Sequence, residues 1–322
     1  MKPISAAAMA GAFGFAACSS SGSVAPNATD AGFVCPPGAN CTPMCAAMPG
    51  CVIDEAKCGS KSTCLPMASN QGRSVQDFRM RRVRWTAPRA FVQPFFQQGL
   101  TDQNVSLAAT SCAELGDGGF SWLLRVDRGA SSLKTGGASP ASDPFGVGYC
   151  FDARTDALPQ TTPITITGET FDAAPIASLA LPVYAHGSVS ESFLLPMRQL
   201  ALHAVKISSG GDCIGSFNAS ALDATCGERP DCEKWQTDGS FSGFITLEDA
   251  DKIAIQALGQ KSLCVLLTAS TPGADGMHCK RDANGSIAFK GDYCSTTKTP
   301  EACADSYWTA ATFAASAAKI CP

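Results

Sequence analysis

The 322-residue chain has no Cys-x-x-Cys pair, no Gly-x-Ser-x-Gly elbow and no His-Glu-x-x-His motif. The first absence removes the usual signature of thioredoxin-type redox centres and paired zinc knuckles. The other two remove the hydrolase nucleophile turn and the common zinc-protease pair. Histidine is scarce: His186, His203 and His278 lie far apart. Nothing in that spacing supports a Cys/His metal site, so no metal and no cofactor is expected. Charge is sparse as well. Only 16% of residues are charged, with 24 basic against 28 acidic. Without a basic excess there is little counterion release to gain, which argues against nucleic acid as a partner. A hydrophobic fraction of 45% supplies a sizeable core and excludes a disordered chain.

What the chain has in plenty is cysteine. Seventeen thiols are a hazard in a reducing cytosol and become cross-links in an oxidising compartment. Seventeen is also odd. The N-terminus bears on that parity. Met1, Lys2 and Pro3 precede an uncharged apolar run, residues 4–17. The run is too short for a spanning helix of about 20 residues and fits the apolar region of a secretory signal, residues 1–17. It ends Phe15-Ala16-Ala17-Cys18, which resembles the lipobox of bacterial lipoproteins. Phe15 stands where leucine is usual, and Lys2 is the only early positive charge. The resemblance implies a diacylglycerol on the Cys18 thiol, cleavage before it, and an acylated new amino terminus. The membrane is then a partner through lipid. Ser19 follows with no aspartate, which by the same resemblance implies the outer membrane. With Cys18 lipidated, sixteen cysteines remain, enough for eight disulfides.

Residues 18–34 are small and polar and read as a flexible tether. Residues 35–64 carry Cys35, Cys41, Cys45, Cys51, Cys58 and Cys64. So short a segment needs cross-links to hold a shape, and six cysteines allow 15 pairings. It reads as a rigid spacer or an inhibitor-like knot. Residues 65–84 read as a basic linker, where Arg73, Arg79, Arg81, Arg82 and Arg84, with Arg89 just beyond, form either a patch for an anionic envelope component or a solvated edge. The body, residues 85–322, is expected to be mainly β: a disulfide-stapled antiparallel β-sandwich with a C-terminal helix. Short apolar or alternating runs at 120–127, 163–171, 179–187, 193–208 and 261–270 read as strands. Thr246 with Asp249 three residues on reads as a helix cap. Beyond Thr299, Cys303, Tyr307, Ala310, Ala314, Ala317 and Cys321 recur at three and four, one helical face. On such a helix Cys303 and Cys321 lie about 27 Å apart, too far to bond, so each is expected to pair with the body. Its other cysteines are Cys112, Cys150, Cys213, Cys226, Cys232, Cys264, Cys279 and Cys294. Cys226 with Cys232, and Cys279 with Cys294, are local loops that could close, and the sequence leaves the pairing open.

The chemistry-bearing motifs are thin. Ser131 to Lys134 matches Ser-x-x-Lys, but flanking glycines make it a turn between strands. Residues 282–286 offer calcium-type oxygens, yet Tyr293 stands where a bidentate glutamate belongs, so a hairpin turn is the plainer reading. Glu248, Asp249 and Asp251 are neighbours on one helix rather than carboxylates facing across a cleft. No catalytic residue is assigned. Trp122 reads as core, and Trp235, in a polar stretch, as the exposed aromatic available to stack on a sugar. The architecture also resembles uncharacterised cysteine-rich lipoproteins of myxobacteria, a likeness that implies no activity. The expected function is a lipid-anchored binding or structural module for a glycan or envelope component. A secreted hydrolase with a scattered site and a protease-inhibitor-like six-cysteine module are the alternatives.

Overall fold

The computed structural model describes residues 64–107, 116–185, 192–217 and 235–322. Eight long strands dominate. They are β1 (Val75–Ala87), β2 (Ser121–Asp127), β3 (Ser132–Ala138), β4 (Gln160–Thr167), β5 (Thr170–Tyr184), β6 (Ser192–Lys206), β7 (Gly239–Thr246) and β8 (Ser306–Ala317). Each pairs antiparallel with the next, and β8 pairs back onto β1, from Phe78 opposite Ala317 to Ala87 opposite Ala310. The chain is therefore mainly β and antiparallel, as its pattern predicts. The sheet closes on itself rather than splitting into two facing sheets. Closure removes the unpaired edges that an open sheet must protect.

Eight strands enclose a space that side chains can fill, and here they fill it. Trp85 packs edge-on against Phe91 and Phe241 at 4.9 and 5.5 Å, and Trp122 lies 4.8 Å from Phe241. The indole nitrogens of Trp85 and Trp122 donate to Thr101 and Thr135, so neither is buried unpaired. The helical turns Arg89–Val92 and Phe95–Asp102 add Phe91, Phe96 and Leu100 to the same core.

The outer faces differ around the barrel. β4 alternates buried and exposed positions, as a strand with one wet face does. β1 is buried on both faces from Gln76 to Arg81, because an outer layer covers it. That layer includes Leu65, Phe217 and Trp235 on one side, and Tyr149, Ala318 and Ile320 on the other. The expected basic linker is thus in part a barrel strand. Arg79 is fully buried, donating to Ser121 Oγ, Met80 O and Val105 O, with its guanidinium over the Tyr149 ring at 5.4 Å. Arg81 donates to Leu65 O and lies over Trp235 at 5.3 Å. These two hold layers together, while Arg73, Arg84 and Arg89 are exposed.

Two elements correct the expectations. The C-terminal segment is strand β8, not a helix. Alanine suits either period, and the helical reading left Phe313 off the buried face; as a strand, Ala311, Phe313, Ala315 and Ala317 all point into the core. Residues 261–270 form the short helix Leu263–Thr268, started by Ser262 Oγ accepting from Val265 N–H, not a buried strand. A short apolar run does not distinguish the two.

All eight described cysteines are paired. Cys64 bonds Cys213, Cys150 bonds Cys321, Cys264 bonds Cys279 and Cys294 bonds Cys303. The Cys279–Cys294 loop does not form; each takes a partner on its other side. Cys64 leaves the six-cysteine segment to bind the body. Cys303 and Cys321 do not bond each other, and Cys321 pins the chain end to Cys150. Cys18, Cys35, Cys41, Cys45, Cys51, Cys58, Cys112, Cys226 and Cys232, with His186, lie outside the described residues.

Candidate functional site

With the interior filled, the outer surface and two of the clefts among the described residues are open to a ligand. On β8, Thr309, Ala311 and Phe313 are buried, so Trp308, Ala310 and Thr312 face outward, and Trp308 is 37% exposed. Register places Trp308 opposite Phe244 of β7, and Phe244 opposite Arg198 of β6. The three residues form one rung across neighbouring strands. The β6–β7 pairing shifts register between Ser242 and Phe244, and Gln199 has a left-handed backbone. A Cβ on Gly243 would stand 2.8 Å from the Arg198 carbonyl oxygen, so glycine permits the close approach at this bulge. Bulges re-aim side chains, and Arg198 is the one affected here.

A loop supplies a third ring. Tyr293 packs between Phe244 at 5.1 Å and Trp308 at 5.2 Å, tilted by 35° and 41°. Reciprocal backbone bonds between Tyr293 and Ser306, both 3.0 Å, hold it there. Asp292 accepts from the Trp308 N–H at 2.8 Å, and the Cys294–Cys303 bridge closes the loop beyond. Burial pushes the Tyr293 hydroxyl above its ordinary range. Next along the face, Ser240, Ser242, Ala310 and Thr312 make a floor of small half-buried side chains. His203 Nε2 and Ser242 Oγ share a hydrogen bond of 2.9 Å on this floor. Arg198 Nε donates to Asp249 Oδ2 at 2.6 Å. Burial alone would raise the Asp249 carboxyl, but its bonds to Arg198 and Thr246 outweigh that and hold it below the usual range.

Trp235, expected to be the exposed platform, is 5% exposed. Its ring lies edge-on to Phe217 at 5.2 Å with Arg81 over the other side. Its polar neighbours in sequence misled, since burial here is set by the outer layer. The exposed tryptophan is Trp308. Residues 308–313, Trp-Thr-Ala-Ala-Thr-Phe, carry no local pattern that marks it; its exposure follows from the strand's place in the sheet.

The first cleft, about 720 Å³, is lined by Glu248, Asp251, Asp275, His278 and Arg281 among others. Its carboxylates are spent. Arg281 takes both oxygens of Glu248 at 2.9 Å and reaches Asp251 at 2.9 Å. Asp251 also accepts from Ser262 Oγ and Cys279 N–H. His278 Nδ1 lies 2.6 Å from Asp275. The backbone N–H groups of His278 and Met277, with that ring, pull the Asp275 carboxyl down to about 2. This is an exposed turn with its acid already satisfied.

The second cleft, about 600 Å³, runs from Ser139 to Arg154. Tyr184 donates to Asp152 at 2.7 Å, and Arg154 binds the same carboxylate through its backbone N–H and its Nε. Burial alone would raise Asp152; these bonds hold it below the ordinary range instead. Burial raises the Tyr184 hydroxyl.

Elsewhere the motifs are structural. Ser131 and Lys134 sit at the β2–β3 hairpin. Asp282 Oδ1 accepts from Asn284 and Ser286 N–H, closing the turn the sequence suggests. Two groups place a carboxylate by two sulfurs, Asp251 with Cys264 and Cys279, and Asp305 with Cys294 and Cys303. In each the sulfurs are bonded to one another and offer no thiolate. Set against family models, curated proteins and solved structures, the chain matches none of them.

Proposed function

We propose that this protein is a lipid-anchored module of the cell envelope that binds a glycan on the outer face of β6, β7 and β8. The observation that carries the reading is the rung Arg198–Phe244–Trp308, with Tyr293 packed over it, on a barrel whose interior is full. An exposed indole stacks on the C–H face of a sugar, and neighbouring hydroxyl, imidazole and guanidinium groups orient the ring hydroxyls. Ser242, His203 and Arg198 are those groups. The paired cysteines fit an oxidising compartment. The lipobox-like Phe15-Ala16-Ala17-Cys18 supplies the anchor, and Ser19 favours the outer membrane.

A glycan array probed with the mature chain tests the reading. Binding that falls at least about tenfold in Trp308→Ala supports it; binding unchanged by that substitution refutes the site. Mass spectrometry of membrane-extracted protein should find an acylated Cys18 at the new N-terminus.

The hydrolase alternative has one observation in its favour, the 2.9 Å contact of His203 with Ser242. Nucleophile and base are within reach, as that chemistry needs. Among the described residues, no hydrogen bond joins the other ring nitrogen of His203 to a carboxylate. If array ligands are cleaved by the native chain and not by Ser242→Ala, the enzyme reading replaces the binding one.

A further inference from the structure

We infer that the glycan taken by this face is acidic, with a sugar carboxylate held by Arg198 while a neighbouring pyranose lies on Trp308. The inference rests on the glycan reading and adds the charge of the sugar. Arg198 is tied to the protein by one nitrogen only. Nε donates to Asp249, and among the described residues Nη1 and Nη2 make no hydrogen bond. One anchored nitrogen fixes the plane of the guanidinium and leaves its outer pair of donors unspent. That pair is the fork that takes a planar carboxylate through two parallel bonds. The side chain is 44% exposed, so a ligand reaches it.

Asp249 does not cancel this charge. It also faces Lys252 Nζ at 3.4 Å, so two cations share one carboxylate and the group is left positive. The spacing fits as well. Arg198 and Trp308 are two strands apart at the same level of the sheet, so their backbones stand about 10 Å apart, a span that two linked pyranose rings bridge. Phe244 and Tyr293 fill the interval with apolar surface. A neutral sugar on the same rings takes only hydrogen bonds to uncharged hydroxyls from the fork and gains less from it. A uronate gains charge-assisted bonds at the edge of an apolar platform, where screening by water is reduced.

The test uses matched pairs: uronate oligosaccharides, each beside its carboxyl-reduced neutral form, titrated calorimetrically against the full chain. The acidic member is expected to bind at least about tenfold tighter, with an affinity that falls as salt rises. Arg198→Gln should bring the acidic affinity down close to the neutral one and lower the neutral one far less, with the thermal midpoint held as a folding control. Arg198→Lys should keep the salt dependence and lose part of the preference. Equal affinity for both members in the native chain overturns the acidic assignment and spares the glycan reading. No binding of either member across the panel overturns both.

Discussion

Single residues carry opposite burdens here, and the four tryptophans show it. Trp235 lies between Arg81 and Phe217 in the outer layer, so Trp235→Ala should cost about 3–5 kcal/mol. Trp308 keeps a third of its surface wet, so Trp308→Ala should change stability by under about 1.5 kcal/mol while removing the platform. Urea titrations of the two variants check the contrast; similar losses would mean that Trp308 is a packing residue. Asp152 offers a pH test. Its carboxyl is held below its ordinary value in the fold, so it contributes stability above about pH 4, and that contribution is lost as pH falls through the folded value. Tyr184→Phe removes one bond to the ionised form. The variant should lose on the order of 2 kcal/mol near pH 7, and the gap to the native chain should close on acidification below about pH 4. A gap that stays constant down to pH 2 would show that the hydroxyl matters through packing alone.

Elements were legible where their chemistry is local. Thr246 caps the helix Leu247–Asp251 through the Asp249 N–H, as its spacing predicts, because a cap needs three residues and no distant partner. The run 120–127 reads as a strand on alternation alone and is β2. β8 was not legible, since alanines at 310, 311, 314, 315 and 317 satisfy both helical and strand periods, and the partner strands that decide between them lie far away in the chain. The candidate site shares that fate. Trp308, Phe244 and Arg198 meet through register, which long-range pairing sets, so no local motif announces them. At this scale Arg281 is the joint between the helix Leu247–Asp251 and the Arg281–Ile287 turn. Asp251 is buried while the guanidinium is partly wet. Arg281→Ala should therefore cost about 2–3 kcal/mol, less than a fully buried pair. In an Asp251→Asn background the same substitution should cost markedly less, and a double-mutant cycle by denaturant melts reads the difference. Equal costs in both backgrounds would remove Asp251 from the account.

At the largest scale, the described residues form a filled barrel with a second layer fastened over β1, β2, β3 and β8. Two bridges do much of the fastening. Cys64–Cys213 and Cys150–Cys321 span 149 and 171 residues. In the loop-entropy description each constrains the unfolded chain by about 5 kcal/mol. Beneath the second bridge, Asp77 binds Arg125 at 2.7 Å, and Arg125 donates to the carbonyls of Ile320 and Cys321, so residues 320 and 321 are held by hydrogen bonds as well as by the sulfurs. Cys150→Ser with Cys321→Ser should then destabilise by about 2–5 kcal/mol and still fold, and a melt of the double variant measures it. Parity gives the sharper expectation. With Cys64 spent on Cys213, five cysteines remain in the sequence between 35 and 58, and Cys112, Cys226 and Cys232 make three more. If Cys18 bears lipid and no thiol is free, five cannot all pair among themselves. Peptide mapping of the unreduced protein should find at least one fragment joining residues 35–58 to Cys112, Cys226 or Cys232. Maleimide labelling of the native protein should find no reactive thiol. A free thiol inside 35–58 would break the parity argument and, with it, the inference that Cys18 alone stands outside the disulfide set.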